Sequence, residues 1–266
     1  MPAPILYCGD TNLEGAASYL AGLMTHFGWA FDYVPSHVPM TREVIERPHS
    51  LLILSDYPAW KFDDELQEIA IKQVESGMGL LMIGGWESFH GFGGDWDVAP
   101  LAKALPVEIA RVDDRVNFSQ PTVLSARDLY ETHDKSQVGF QAGEQILGNL
   151  PWRESPPTIG GLNKVTIKTS AWPFLDAVSF RIWWDAESML WKMDEDSTYR
   201  ALAVGGHQSG RTAAFMSDVA PHWVGGFVDW GPERVKAQAA GASAIEVGSH
   251  YAQFWKQLLS WVGRLE

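Results

Sequence analysis

The first hundred residues alternate between short apolar runs and amphipathic stretches. Ile5-Leu6-Tyr7-Cys8, Phe31 to Val34, Leu51-Leu52-Ile53-Leu54 and Leu80-Leu81-Met82-Ile83 are runs of strand length. The third and fourth are apolar at every position, so both faces of those strands are expected to be covered. Helical spacing appears between the runs. Ala16, Leu20, Leu23, Met24 and Phe27 form one stripe closed by Gly28, and Leu66, Ile69, Ala70 and Val74 form another closed by Gly77. Thr11-Asn12-Leu13-Glu14 reads as a capping box opening the first helix, and Asp63 as the cap of the second. A shorter helix is expected around Thr41 to Glu46. Strands alternating with helices predict a doubly wound, mostly parallel α/β sheet.

The texture changes near residue 107. Val107 to Val112, Pro121 to Leu124, Lys164 to Lys168 and Ala177 to Trp183 are expected to be strands separated by long loops, with Pro151 and Pro156-Pro157 interrupting any helix. Residues 107–200 therefore read as an inserted strand-and-loop region within one domain spanning 1–266. Beyond it, Ala201 to Val204 and Thr212 to Met216 flank His207-Gln208-Ser209-Gly210 as a hairpin. Phe254, Leu258, Trp261 and Val262 stripe a closing helix, for which Ser249 is the expected N-cap.

Composition narrows the partners. With 46% of 266 residues hydrophobic, the chain can bury the core of a large domain. A net charge of −13 makes nucleic acid and anionic membrane surfaces poor partners. No apolar run reaches the roughly 20 residues that span a bilayer, and no basic segment precedes the first strand, so a cytoplasmic protein is expected. The single cysteine, Cys8, excludes an intrachain disulfide and a cysteine-ligated zinc site. Tryptophans cluster from Trp152 to Trp191 and from Trp223 to Trp261. They are expected to be core and interface packing, which leaves room for a homo-oligomer.

In an open α/β sheet ligands bind outside the carboxyl ends of the strands, and four such ends carry polar residues here. They are Gly9-Asp10-Thr11-Asn12, Ser55-Asp56-Tyr57-Pro58, the segment Gly84 to Gly91, and Ser217 to Trp223. Together they predict one cleft for a small polar ligand, lined by Asp10, Asn12, Asp56, Gly85, Trp86, Ser88, His90 and Trp223. Asp218 and His222 are the candidate acid–base pair, with Glu87 or Asp56 assisting. Each residue also has a structural alternative: Asp10 and Thr11 as helix caps, Asp56 as an Asx-turn residue, Asp218 and His222 as a loop clamp. The glycines from Gly84 to Gly94 form neither a P-loop nor a dinucleotide fingerprint, so no cofactor is expected. Without a His-x-His or His-Glu-x-x-His pair, no metal is expected either. His26, His37, His49, His133 and His250 lack any neighbouring pattern.

Three of these segments are similar to a known family. Gly79-Leu80-Leu81-Met82-Ile83-Gly84-Gly85-Trp86-Glu87-Ser88-Phe89, Leu54-Ser55-Asp56-Tyr57-Pro58-Ala59, and Gly210-Arg211 followed by Ser217-Asp218 and Pro221-His222-Trp223 resemble the glutamine amidotransferase-like family of bacterial proteins. The resemblance implies a flavodoxin-like sheet of the class I amidotransferase type and, more distantly, kinship with trehalose-utilisation-type proteins. True class I amidotransferases place a nucleophilic cysteine on a tight turn after a strand, activated by a histidine paired with a glutamate. Here Leu80 to Ile83 is followed by Gly84-Gly85-Trp86-Glu87-Ser88, with no cysteine, and Cys8 ends the first strand instead. The resemblance therefore implies the fold without the glutaminase chemistry.

Overall fold

The apolar runs of the first hundred residues become the parallel half of one large sheet. The computed structural model describes residues 3–127 and 137–266. The first half contains β1 (Ile5–Gly9), α1 (Ser18–His26), β2 (Phe31–Val34), α2 (Arg42–Ile45), β3 (Leu51–Ser55), α3 (Asp64–Glu75) and β4 (Gly79–Ile83). Next come β5 (Val107–Glu108), β6 (Arg115–Asn117), β7 (Thr122–Ala126), α4 (Gln137–Leu147), β8 (Gly161–Asn163) and β9 (Thr166–Ile167). The chain finishes with β10 (Trp172–Asp185), β11 (Leu190–His207), β12 (Gly210–Phe215), α5 (Pro221–Val228), β13 (Arg234–Ala237), β14 (Ile245–Gly248) and α6 (Ser249–Gly263).

The main sheet runs β2-β1-β3-β4-β12-β11-β10-β7. Its first five strands are parallel, with Ile5 opposite Leu51, Leu52 opposite Leu80 and Ala214 opposite Met82. This is the flavodoxin-like order, in which the strand order reverses between β1 and β3. β12 reaches the fifth position by a hairpin from β11 (His207 opposite Gly210), and β11, β10 and β7 then extend the sheet antiparallel. β1, β3 and β4 are buried at every residue, as strands covered on both faces must be. α6 packs on β4 and β12, with Phe254 and Trp255 against Phe215 of β12.

Several expectations are corrected. Thr11 caps no helix: Asp10 and Thr11 have φ of 51° and 57°, Asn12 Oδ1 accepts the Glu14 N–H (3.0 Å), and α1 starts only at Ser18. The local turn takes the groups a capping box would have used. Asp63 occupies the N-cap position of α3 but makes no side-chain cap bond, and Ser249 is the first residue of α6, not its cap. The strands expected at 107–112 and 164–168 shrink to two residues each, whereas the one expected at 177–183 is part of a 14-residue strand in a long hairpin. α4 was not expected, and Pro221 opens a helix where the sequence suggested a loop. His133 lies outside the described residues.

Candidate functional site

β1, β3 and β12 are each followed within three residues by an aspartate, and the parallel sheet delivers all three to one edge. Asp10 follows β1 and Asp56 follows β3, so the two flank the point where strand order reverses. Asp218 comes two residues after Met216, at the exit of β12. Asp10 and Asp218 are buried, while Asp56 is surrounded by protein yet keeps part of its surface open. Their charges repel one another, and among the described residues no lysine or arginine forms an ion pair with any of them.

Burial dominates their titration. It holds Asp10 well above the usual carboxylate range, with the charges of Asp218 and Asp56 adding to the effect. The Tyr7 hydroxyl donates to Asp10 Oδ2 and opposes that rise. Asp56 is pushed up to about 7, first by burial and then by Asp218, against the opposing Glu87 N–H and the nearby His222. Asp218 is pushed up to about 6 by burial, although Oδ1 accepts from Val219 N (2.6 Å) and Ala220 N (3.2 Å).

The glycine-rich loop folds over this edge. Glu87 N donates to Asp56 Oδ1 at 2.7 Å, and Asp56 N donates to the buried Ser88 hydroxyl at 2.9 Å, tying the β3 and β4 ends together. Asp56 sits at φ 47°, and its carboxylate serves the neighbouring loop rather than a local Asx turn. Gly85 lies so close that a Cβ there would stand 2.2 Å from Asp56 Oδ1. Glu87 is half-buried, which raises its pKa.

Two residues that the sequence did not single out hold the loop. Asn163, fully buried in β8, accepts the Gly85 N–H (2.9 Å) and donates to Gly85 O (3.1 Å) and Asp114 Oδ1 (2.8 Å). Asp114 accepts the His90 and Gly91 N–H groups, each at 3.0 Å. Neither follows an apolar run, and β6 and β8 bring them here from 49 residues apart.

The remaining candidates divide. His222, on the first turn of α5, is exposed and close enough to Asp56 to act on its charge. Trp223 is buried, its Nε1 donating to Asn117 Oδ1 (2.9 Å) and its indole packed against Gly161 of β8. Trp86 is exposed, with the Arg115 guanidinium 4.3 Å from its ring centre. Asn12 stands exposed in its turn. His90 pairs through Nδ1 with Asp97 Oδ1 at 2.7 Å, a bond that raises its pKa. His90, Asp95 and Asp97 bring ligand-type atoms within 4.8 Å of one another, and within this group His90 and Asp97 are hydrogen-bonded. Cys8 lies fully buried within β1, where burial raises its thiol pKa. Among the described residues no histidine hydrogen-bonds to Ser88.

The loop and its flanking strands are also where a family match falls. Residues 49–141 match the family model described as "Putative glutamine amidotransferase". This amidotransferase-like segment holds β3, α3, β4 and the loop from Gly84 to Gly94, so it contains Asp56, Glu87 and Ser88. Comparison with curated proteins gives no match. Two cytoplasmic proteins of Salmonella typhimurium share the fold. One has 21% identity and a TM-score of 0.68, covering 97% of this chain and 98% of its own. The other, from strain LT2, has 22% identity and a TM-score of 0.67, covering 97% and 99%. A ThuA-like protein from Bacteroides uniformis aligns with 11% identity and a TM-score of 0.52, over 98% of this chain and 93% of that one. Among the described residues no helix is long and apolar enough to cross a membrane.

Proposed function

We propose that the carboxyl-end cleft binds a small polar ligand and that this amidotransferase-like chain is not a glutaminase. The observation that carries the reading is the set of buried carboxyls at one edge of the sheet, Asp10 and Asp56 at the strand-order reversal and Asp218 beyond β12, with Glu87 and His222 beside Asp56. Buried acids cost stability unless something uses them, and they gather at functional sites. Because the surrounding charge is acidic, a hydroxylated or amine-bearing ligand suits the cleft and an anion does not. The glutaminase route lacks its nucleophile. The turn after β4 carries no cysteine, and a side chain at Gly85 would strike Asp56. The Ser88 hydroxyl accepts the Asp56 N–H, and among the described residues no histidine hydrogen-bonds to it as a base.

Thermal-shift measurements with a panel of neutral polyols, amino sugars and amino acids test the reading. A member of the panel should raise the melting temperature of the wild type and lose that effect in Asp56→Asn and in His222→Ala. Equal shifts in wild type and both variants would place binding elsewhere. Glutamine hydrolysis that survives purification and disappears in Ser88→Ala would restore the glutaminase reading.

A second reading is an acid–base enzyme. It is favoured by Asp56, which burial pushes up to about 7 and which lies close enough to His222 to feel its charge. A group titrating there can both donate and accept a proton during turnover. The candidate pair then becomes Asp56 with His222, because Asp218 is engaged by the Val219 and Ala220 N–H groups. Turnover of a bound panel member whose rate follows a midpoint near 7, and which vanishes in Asp56→Asn while binding persists, separates the enzyme from the binder.

A further inference from the structure

Past Ser179, β10 and β11 run on as a two-stranded ribbon that leaves the rest of the sheet behind. β7 pairs with β10 only as far as Ser179, and β12 pairs with β11 only from Leu202 onward. Across the ribbon Ile182 stands opposite Met193 and Trp184 opposite Trp191. Partners across an antiparallel ladder share a face, as do residues two apart, so these four side chains form one apolar face. They are 40%, 58%, 45% and 70% exposed respectively, and the two indoles lie edge to face at 5.6 Å. The other face pairs Arg181 with Asp194 and Trp183 with Lys192, with the Arg181 guanidinium over the Trp183 ring. The turn is fixed by Asp185, which accepts from Ser188 Oγ (2.5 Å) and Glu187 N (3.3 Å) and lies 3.5 Å from Lys192 Nζ.

We infer that this arm is a homodimerisation surface, the apolar face of one copy packing on the same face of a second copy about a two-fold axis. An isolated two-stranded ribbon is marginal in water, and a contiguous apolar patch rimmed by charge marks an interaction site. The area suits a second copy. At the size of such side chains the four expose about 500 Å² per copy, roughly the apolar core of the ~800 Å² that each partner buries in a standard interface. The face is also self-complementary. None of the four carries charge, and a two-fold axis sets the Trp184–Trp191 pair of one copy against the apolar face of the other. Arg181, Lys192 and Asp194 stand on the far side, and Glu195, opposite Phe180, borders the apolar face where the arm leaves the sheet of a chain whose net charge is −13. That same charge disfavours an anionic membrane as the occupant.

Sedimentation equilibrium of the full chain across the micromolar range tests this. The wild type should show twice the 29.5 kDa chain mass, and Trp191→Lys should show a single chain mass with an unchanged circular-dichroism spectrum. Trp60→Lys, at an exposed tryptophan away from the arm, should remain dimeric. If Trp191→Lys fails to fold, Met193→Lys makes the same test from the same face. A monomeric wild type throughout that range, a dimer that persists in the arm variants, or wild-type protein that co-sediments with vesicles of anionic lipid through this face would overturn the inference.

Discussion

Gly85 shows how a single backbone position controls the candidate site. Its φ of 156° follows a strand with no room to spare, because a Cβ would stand 2.2 Å from Asp56 Oδ1 and 2.6 Å from Oδ2. That carboxylate cannot withdraw without releasing the Glu87 N–H that anchors the loop. Gly85→Ala is therefore expected to cost about 2 kcal/mol or more, the range of a steric clash added to a lost buried hydrogen bond. Urea unfolding measures it, and a loss below about 0.5 kcal/mol would mean that the loop yields freely. Asp56 and Asp10 are legible in the sequence as strand-end residues because each comes one residue after an apolar run, on the edge where open α/β sheets bind ligands. Cys8 is legible as core for the same reason: it sits inside the run. Thr11 misled because Ser/Thr-x-x-Glu is only three bonds of information, and two successive positive φ values redirected the chain before a helix could begin.

At the scale of elements, the parallel strands were readable and the supports of the site were not. β3 and β4 announce themselves by local pattern, every residue apolar. β6 and β8 are three residues each and gain their meaning only by pairing with one another across more than forty residues. No local periodicity carries that information, so Asp114 and Asn163 stayed hidden until the tertiary structure placed them. The same holds for the β10–β11 arm, whose exposed alternation has no core to mark its inner face. The β6–β8 pair makes a specific prediction. Asn163→Ala removes the acceptor of the Gly85 N–H and the donor to Asp114 while leaving both partners buried. The expected loss is about 2–4 kcal/mol, since unsatisfied buried polar groups cost about 1–3 kcal/mol each. Hydrogen exchange should show the amides of Gly85, His90 and Gly91 losing protection first. Retained protection at all three would separate Asn163 from the loop.

Across the whole molecule, the buried carboxyls tie stability to pH. Asp56 and Asp218 have folded-state values of about 7 and about 6, both above the ordinary value of an unfolded aspartate. Between about pH 4 and pH 7 the native state therefore binds more protons than the unfolded state, and stability falls as pH rises through that window. Below it both states are protonated and the penalty is absent; above it the penalty is complete. For Asp56 alone its size is on the order of 4 kcal/mol, set by the 1.36 kcal/mol that accompanies each tenfold displacement of a proton equilibrium. Asp56→Asn keeps the oxygen that accepts the Glu87 N–H and removes the ionisation. The variant should match the wild type near pH 4 and exceed it at pH 8, by roughly 7 °C in melting temperature for a chain of this length. Surface groups titrate alike in both proteins, so the difference between the two curves isolates the site. Parallel curves from pH 4 to pH 8 would show that Asp56 is not held above its ordinary range. A divergent pair, with the more stable variant failing to bind the ligand that protects the wild type, is the signature of a fold that keeps a costly carboxyl because the cleft uses it.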